Sequence, residues 1–329
     1  MKKALSSLYR SVITLRNSLY DRGILSVSSS TLPTICVGNI AAGGSGKTPL
    51  VQLVVKTVVA EGFQPVILLR GYGGSASGPM QVSEQHTSSE VGDEAVLHYR
   101  SVVAPVVVAR DRVLGVRLIE REQLGNVVIL DDGLQHRRLA RDLNIITIDV
   151  RSEEVIKDFL SDHVLPVGLL RESRTEGLRR GHMYVLNHRG PRSSVEHLEA
   201  VRNVLPHGVP TVEAWMSANR VVKPGKELQS PQKVVAVSGI ARPSGFYVLL
   251  EEMGFEIIAR HAFSDHRPFD ETVIRDLRRC FPELPFVCTP KDIARMSRDE
   301  AKKWWSPELK TELDQPDVLR RFIRELLHP

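Results

Sequence analysis

The stretch of sequence that decides the fold is residues 34–50, TICVGNIAAGGSGKTPL. Its first part, ICV at residues 35–37, is a short apolar run that is typical of a buried strand. Residues 41–48 have the sequence AAGGSGKT, which fits the phosphate-loop spacing G-x-x-x-x-G-K-[ST] with alanine in place of the first glycine. A helix is predicted over residues 49–59. A strand, a glycine-rich loop and a helix in this order predict a phosphate-binding loop rather than a chance glycine turn.

The residue types in this loop suit a nucleoside triphosphate with Mg²⁺. Glycines let backbone N–H groups turn toward phosphate oxygens, and the following helix points the positive end of its dipole at them. Lys47 is expected to reach the β- and γ-phosphates, and Thr48 to offer its hydroxyl to Mg²⁺. The predicted nucleotide-binding residues are Ala41, Ala42, Gly43, Gly44, Ser45, Gly46, Lys47 and Thr48.

A second apolar strand ends in two carboxylates, because residues 126–133 have the sequence NVVILDDG. Phosphate-loop folds hold magnesium, directly or through water, with an acidic residue at the carboxyl end of a strand. Asp131 or Asp132 is therefore the expected metal partner, and the strand pattern does not distinguish the two. The structural alternative is an aspartate that only caps a turn.

Short β-rich runs at residues 66–69, 106–109 and 145–149 alternate with helical-looking segments. This alternation predicts an α/β fold: a phosphate-loop NTPase core with a mostly parallel sheet and helices on both faces. A new strand at residues 234–239 follows a polar, proline-dotted stretch and begins a second, smaller α/β domain. The predicted division is an amphipathic helix at 1–24, a phosphate-loop core at 25–220, and a smaller α/β domain with a C-terminal helix at 221–329.

Four polar clusters are candidates for the rest of the site, and each has a structural alternative. The glycine-rich residues 70–74 belong either to the ligand edge of the sheet or to a plain loop. Asp93 either faces the nucleotide or caps the helix that follows. The basic residues 135–138 suit an anionic substrate or form a solvated charge run. His266 lies within FSDHRPF at residues 263–269, and a single histidine is more often structural than catalytic.

Residues 1–22 predict an amphipathic helix, because apolar residues from Met1 to Tyr20 recur at helical spacing opposite lysine, arginine, serine and asparagine. The helix either packs on the protein or lies on anionic lipid. No stretch of the sequence approaches the roughly 20 apolar residues that span a bilayer, and the N-terminus lacks a secretory pattern.

Composition gives only broad limits. The 329 residues are 42% hydrophobic and 25% charged, which excludes a mainly disordered, collagen-like or coiled-coil chain. The net charge of +5 is compatible with an anionic ligand or membrane surface and is too small to indicate nucleic acid. Cys36, Cys280 and Cys288 have no metal-ligand spacing and are interpreted as reduced residues of a cytosolic protein.

Taken in order, the motifs resemble those of the tetraacyldisaccharide 4′-kinase family, the lipid A 4′-kinases of Gram-negative bacteria. The resemblance covers nearly the whole chain. It rests on VGNIAAGGSGKTP (37–49), RGYGG (70–74), VGDEA (91–95), ARDR (109–112), ILDDGLQHRRLARD (129–142), LPVGLLRE (165–172), VSGIARPSGF (237–246), FSDHRPF (263–269) and TPKD (289–292).

The resemblance implies the function. It implies that the γ-phosphate of ATP is transferred to the 4′-hydroxyl of a tetraacylated glucosamine disaccharide 1-phosphate, with Mg²⁺ as cofactor. An Asp–His pair, here Asp93 and His266, would activate that hydroxyl. We place Lys47 and Asp132 with this pair as catalytic residues, and Thr48 and Asp131 at the metal.

The sequence also departs from the family pattern at three positions. Leu134 follows the aspartate pair where phenylalanine is common, Arg267 stands where a second histidine is frequent, and Pro290 interrupts the usual TEKD. Proline at 290 puts in doubt any backbone N–H contact at that position.

The expected partners are the lipid A disaccharide precursor and an anionic membrane surface, with neither nucleic acid nor an obligate protein partner. The expected location is the cytoplasmic face of the bacterial inner membrane, as a peripheral protein. Two other functions stay open: a kinase of a soluble small metabolite, and a regulatory NTPase switch. TPKD has the wrong order for the N-K-x-D guanine motif, which weighs against a GTPase switch.

Overall fold

The computed structural model describes residues 1–43, 46–151, 153–188, 195–240, 243–264 and 269–328. Its helices are α1 (Lys2–Asp21), α2 (Lys47–Ala60), α3 (Ser88–Val91), α4 (Asp93–Ser101), α5 (Arg112–Arg121), α6 (Glu153–Ser161), α7 (Arg174–Leu178), α8 (Val195–Asn203), α9 (Ser244–Glu252), α10 (Glu271–Cys280), α11 (Pro290–Arg295), α12 (Arg298–Ala301) and α13 (Pro316–Leu327). Its strands are β1 (Thr34–Gly38), β2 (Pro65–Leu69), β3 (Met80–Gln81), β4 (Val106–Val108), β5 (Val127–Asp131), β6 (Leu143–Asp149), β7 (Met183–His188), β8 (Thr211–Lys223), β9 (Lys226–Leu228), β10 (Gln232–Ser238), β11 (Phe255–Ala262), β12 (Phe286–Val287) and β13 (Ser306–Leu313).

Ten strands form the larger sheet, in the order β13-β8-β7-β6-β1-β5-β2-β4-β3, with β9 also paired to β8. The seven strands from β8 to β4 pair in parallel, whereas β3, β9 and β13 pair antiparallel. The central strands β1, β2 and β5 are buried along their whole length, as expected for parallel strands covered on both faces. The predicted α/β fold is confirmed.

Two apolar clusters cover the faces of this sheet. Alternate residues of β1 divide between them, since Ile35 and Val37 belong to one cluster and Cys36 to the other. The first cluster includes apolar side chains of α2, α4 and α13, and the second includes those of α5 and α6. The sheet is therefore packed between helices on both faces, and the loops at its carboxyl edge extend from well-packed strands.

A second sheet of three parallel strands, in the order β11-β10-β12, lies in the C-terminal part of the chain. It has its own apolar clusters, which include Phe246 of α9 and Ile274 of α10. The chain then returns to the larger sheet, where β13 pairs with β8 and Leu319 and Ile323 of α13 enter the first core cluster. The division at residue 220 stays a prediction, and the described small sheet occupies only the middle of the segment 221–329.

Within the described ranges, no helix combines the length and apolar character that crossing a bilayer requires.

Candidate active site

The phosphate loop and the aspartate pair lie side by side at the carboxyl edge of the larger sheet. β1 leads into the loop and β5 ends at Asp131, and these two strands are neighbours with Val37 opposite Asp131. Lys47 and Thr48 begin α2 directly after the loop. Gly44 and Ser45, two of the predicted nucleotide-binding residues, lie outside the described residues. The described part of the loop therefore has the strand–loop–helix arrangement that phosphate binding requires.

Gly46 explains why the last loop position before the lysine must be glycine. Its φ of +75° lies in the left-handed region, and a Cβ built there would lie 1.7 Å from Nδ2 of Asn187. Asn187 lies on β7, two strands away from β1, and is buried. The loop is thus packed against a side chain from the neighbouring strands as well as shaped by its own backbone.

Lys47 is largely covered and points toward the aspartate pair. Its Nζ lies 3.3 Å from Oδ1 of Asn39 and 3.8 Å from Oδ1 of Asp132, and its side chain is 10% exposed. The ammonium group therefore lies between Asn39, the residue after β1, and Asp132, the residue after β5.

Asp132 is held between cations. Nη1 of Arg171 donates to both of its carboxylate oxygens, each at 2.9 Å, and also to Oε1 of Gln135 at 3.2 Å. Asp132 has a φ of +57°, a left-handed conformation that aspartate tolerates better than most residues. That conformation lets the chain turn sharply after β5, so that Asp131 and Asp132 take different directions.

Asp131, in contrast, is buried at the end of β5 and accepts a hydrogen bond from a histidine. Nε2 of His98, in α4, lies 2.8 Å from Oδ2 of Asp131. Burial raises the pKa of Asp131, but the hydrogen bond and charge of His98 together with the charges of Lys47 and Arg112 outweigh it, so this pKa is lowered. The carboxyl group is therefore ionised at neutral pH.

Arg112 adds a buried positive charge behind the pair. It lies at the start of α5, is 4% exposed, and its Nη2 is 3.5 Å from the carbonyl oxygen of Asp132. Burial lowers the pKa of Arg112 to about 10, so that the guanidinium is still charged at neutral pH.

Asp93 is the first residue of α4, and its carboxylate binds an arginine from the C-terminal part of the chain. Nη2 and Nε of Arg295 lie 2.8 and 3.1 Å from Oδ2 of Asp93, and both side chains are nearly buried. The other oxygen, Oδ1, accepts the backbone N–H of Glu94 at 2.9 Å. Asp93 does not act as the N-cap of α4, because that position belongs to Gly92.

Arg295 belongs to α11, the helix that follows the TPKD motif. Thr289 and Asp292 form a capping box at its N-terminus, and Asp292 also accepts the backbone N–H of Gly239 at 3.0 Å. Pro290 occupies the first helical position, where a backbone N–H has no intrahelical partner, so the proline removes no helical hydrogen bond. The departure from the family pattern at this position is therefore compatible with the helix that carries Arg295.

His266, the predicted partner of Asp93, lies in residues 265–268, outside the described residues. The pairing of Asp93 with His266 therefore stays a prediction.

Comparison with known proteins decides the family. The family model described as tetraacyldisaccharide-1-P 4′-kinase matches residues 2–328. The chain belongs to this family. A tetraacyldisaccharide 4′-kinase of Chlorobaculum tepidum is 37% identical over 284 residues, covering 83% of this chain and 79% of the relative. One of Aeromonas hydrophila is 34% identical over 307 residues, covering 93% and 86%.

A solved structure agrees with the family assignment. The crystal structure of LpxK from Aquifex aeolicus in complex with ATP matches with a TM-score of 0.80 at 29% identity, covering 98% of this chain and 97% of that chain. The predicted family, fold and function, an ATP-dependent kinase of lipid A biosynthesis that uses Mg²⁺, are confirmed. The roles of the individual site residues stay predictions.

The glycines of RGYGG (70–74) have a structural role. A Cβ on Gly74 would lie 2.4 Å from the carbonyl oxygen of Glu90, and one on Gly92 would lie 2.6 Å from that of Tyr72. The two segments pack backbone against backbone, which fixes the start of α4. RGYGG thus positions Asp93 rather than forming a plain loop.

The basic loop at residues 135–138 is largely engaged with other parts of the chain. Arg138 and His136 contact Asp111, at 2.8 and 3.4 Å, and Arg137 binds Asp21 of α1 at 2.6 Å. Burial and the nearby charge of Arg112 lower the pKa of His136 to about 4, so its imidazole is neutral at neutral pH. The loop's described contacts are internal, and its predicted role with an anionic substrate is untested.

α1 packs on the rest of the protein through its polar side. Nδ2 of Asn17 donates to Oε2 of Glu172 at 3.2 Å, and the Tyr9 hydroxyl donates to the carbonyl oxygen of Arg171 at 2.9 Å. Arg10 forms an ion pair with Asp162. The apolar side faces outward, with each of these side chains more than half exposed: Met1, Leu5, Leu8, Val12 and Leu15.

Local sequence patterns do not single out three residues of this site: His98, Arg171 and Arg295. Arg171 lies inside the motif LPVGLLRE, but the motif does not reveal its contact with Asp132. Arg295 follows TPKD by three residues, and His98 follows Asp93 by five. Each of the three contacts a site residue that is far away in the sequence, and a local sequence pattern does not reveal such a contact.

Proposed function

We propose that the described edge of the larger sheet is where the enzyme transfers the γ-phosphate of ATP to the 4′-hydroxyl of a tetraacylated glucosamine disaccharide 1-phosphate. The observation that carries this assignment is Lys47, whose ammonium group lies beside Asp132 at the junction of the phosphate loop and β5. Phosphoryl transfer depends mainly on positioning and on neutralising charge on the moving group, and this edge concentrates charged groups for both.

The oxygen ligands at this edge fit Mg²⁺. Mg²⁺ is usually held by one or two carboxylates together with phosphates and water, and Asp131, Asp132 and Thr48 supply hard oxygen donors. Among the described residues there is no cluster of three or more histidine, cysteine, aspartate or glutamate side chains that could hold a metal. Mg²⁺ held by these residues would neutralise negative charge on the phosphate oxygens.

We assign Asp131 and Thr48 to the metal and Lys47 to the transferred phosphate. Asp131 is ionised, buried and placed by His98, as a metal ligand should be. Asp132 already binds Arg171. Its carboxylate is therefore suited to orienting Lys47 and the loop, because binding the metal would require it to give up the contact with Arg171. This division follows the different environments of two adjacent carboxylates.

The acceptor hydroxyl needs a group that takes its proton. We assign that role to His266, oriented by Asp93, because the family resemblance pairs them and Asp93 lies at the start of α4 near the C-terminal part of the chain. Arg295 holds the Asp93 carboxylate there. The reaction then requires that the segment with His266 lie close to Asp93 when the acceptor is bound.

We propose that α1 attaches the enzyme to the cytoplasmic surface of the inner membrane. A helix that buries its polar side on the protein and exposes a stripe of large apolar side chains is the reverse of an ordinary surface helix. Lys2 and Lys3 are exposed beside this stripe, where they would meet anionic headgroups. The acyl chains of the substrate can then stay in the bilayer while its sugar enters the site.

The test is stoichiometric conversion of ATP to ADP by the purified chain, with mass detection of the phosphorylated lipid. We expect ATP to be consumed only when the tetraacylated disaccharide 1-phosphate is present, which a regulatory NTPase would not require. Equal turnover of a soluble, deacylated disaccharide would indicate a small-metabolite kinase instead.

Two variants in this assay test the residue roles. Lys47→Ala removes charge at the transferred phosphate and should abolish measurable turnover. His266→Ala should lower kcat by about 10²- to 10⁴-fold while the affinity for ATP stays within about twofold, since it removes only a general base. A His266→Ala enzyme with kcat within threefold of the wild type would show that another group takes the proton.

A further inference from the structure

His98 of α4 contacts Asp131, the buried aspartate that we assign to the metal. His98 has no exposed surface, and its Nε2 lies 2.8 Å from Oδ2 of Asp131, which is 2% exposed. The two residues are 33 positions apart in the chain and lie on different elements, the helix α4 and the strand β5. Their contact is therefore a product of the tertiary fold.

The surroundings of His98 indicate which ring nitrogen carries the proton. Among the described residues Nδ1 has no hydrogen-bond partner, and it is buried. A carboxylate oxygen only accepts hydrogen bonds, so the hydrogen of the contact between Nε2 and Oδ2 of Asp131 belongs to Nε2. The geometry thus favours one directed donor from His98 to one oxygen of Asp131.

The second oxygen of Asp131 has a different environment. No described residue donates a hydrogen bond to Oδ1. Both oxygens of a buried carboxylate usually have hydrogen-bond partners. A carboxylate with one oxygen bonded by the protein and the other without a protein donor is the arrangement expected of a metal ligand.

We propose that His98 is a positioning residue for the phosphoryl-transfer site: its Nε2–H fixes Oδ2 of Asp131 and thereby leaves Oδ1 for Mg²⁺ or a water bound to it. This inference rests on the role of Asp131 in the proposed function. His98 itself does not contact the reacting groups. It fixes the rotation of the Asp131 carboxylate, as partners of metal ligands commonly do.

The N-terminal end of α4, the helix that contains His98, is anchored to other parts of the protein. The helix begins at Asp93, which binds Arg295, and its start is packed against RGYGG through Gly92. The backbone of α4 is thus anchored five residues before His98, so the imidazole is presented to Asp131 from a rigid element. The same helix connects the predicted acceptor side of the site, at Asp93, with the predicted metal side, at Asp131.

The test compares His98→Leu, which removes the donor, with His98→Gln, which keeps an N–H donor. A fluorescent ATP analogue is titrated in excess Mg²⁺ and in EDTA, and the Mg²⁺ concentration for half-maximal activity is measured. We expect His98→Leu to weaken binding in Mg²⁺ and to raise the half-saturating Mg²⁺ concentration by about 10- to 100-fold. Binding in EDTA should stay within twofold, and His98→Gln should recover most of the loss. His98→Met replaces the leucine variant if the latter does not fold.

His182→Leu serves as the control, because its Nδ1 accepts the N–H of Asn144 at the opposite end of β6 and β7. An unchanged Mg²⁺ response in His98→Leu, or equal loss in Mg²⁺ and EDTA for both His98 variants, would overturn the proposal. Asp131→Asn separates the two levels of inference. If it removes the Mg²⁺ response while His98→Leu does not, only the role of His98 fails, and if Asp131→Asn leaves the response intact, the proposed role of Asp131 fails with it.

Discussion

At the residue scale, Gly46 and Asp132 show how strongly the site constrains single backbone positions. Both have left-handed φ values, and they lie at the end of the phosphate loop and directly after β5. Gly46 has an additional constraint from the side chain of Asn187, which occupies the space of a Cβ. The loop shape is therefore fixed by contact as well as by conformational preference.

Gly46→Ala should raise the KM for ATP at least tenfold. The new methyl group would have to displace Asn187 or distort the loop, and alanine is strained at this φ. ATP titrations of initial rate, with melting temperature measured in parallel, check this expectation.

Gly62→Ala is the matched control for backbone strain. Gly62 also has a positive φ, +87°, but it lies at the opposite end of α2, where a methyl group on its Cα would have nothing within 4 Å. It should lower the melting temperature without changing the KM for ATP. A Gly46→Ala enzyme with unaltered KM would contradict the predicted loop contact with phosphate.

At the scale of elements, α1 joins the surface of the protein to the phosphate site. Its Tyr9 binds the backbone of Arg171, and its Asn17 binds Glu172, while the side chain of Arg171 holds Asp132. The helix is therefore a structural part of the core on one side and an exposed apolar surface on the other. A position at the membrane would bring the edge with the predicted active site close to the lipid substrate.

The double substitution Leu5→Ser with Leu8→Ser should weaken binding to vesicles that contain phosphatidylglycerol by at least about tenfold. Each leucine loses on the order of 1–2 kcal/mol of apolar transfer free energy when it is replaced by serine. Vesicle co-sedimentation measures the binding, and turnover on substrate in detergent micelles should change much less.

The matched control replaces two exposed apolar residues outside α1, Val103 and Leu114, with serine. Vesicle binding of this control should equal that of the wild type. If both double variants lose vesicle binding equally, exposed apolar residues promote binding wherever they lie, and α1 has no special role. If neither variant loses vesicle binding, α1 is not the attachment site.

At the scale of the whole molecule, a nearly buried ion pair joins α4 of the core to α11, the helix that follows β12 of the smaller sheet. Arg295 of α11 binds Asp93 of α4, and α11 also contacts Gly239 after β10 through both Arg295 and Asp292. The pair thus fixes the C-terminal part of the chain against the part of the core that carries the predicted catalytic aspartate.

Arg295→Met should lower the free energy of unfolding by about 3–5 kcal/mol, because it leaves the Asp93 carboxylate buried without its cation. It should also lower kcat, since the aspartate loses its orientation. Urea unfolding and steady-state kinetics measure the two effects.

Arg298→Met is the control, because Arg298 pairs with Glu84 across the same interface but on the surface. Its loss should be below about 1 kcal/mol. Equal loss in the free energy of unfolding for the two variants would mean that the buried Asp93–Arg295 pair stabilises the protein no more than a surface pair does.

The sequence alone determined the strand–loop–helix unit, the DDG strand and the α/β class. These features depend on local signals: glycines that allow a tight turn, a lysine and threonine at fixed spacing, and continuous β-branched runs in buried parallel strands. The order of the motifs also determined the family. A helix at the N-terminus followed from its apolar spacing, but the sequence did not reveal that its polar side packs inward.

The partners of the site residues depend on the three-dimensional packing of the chain. His98 meets Asp131, Arg171 meets Asp132, and Arg295 meets Asp93 across 33, 39 and 202 positions of the chain. Such pairs form because the fold packs α4 beside the end of β5, the loop with Arg171 beside Asp132, and α11 against α4. The local sequence around either partner does not predict the contact. The roles proposed for Asp131 and Asp132 differ because these partners differ, which is why the sequence left the assignment open.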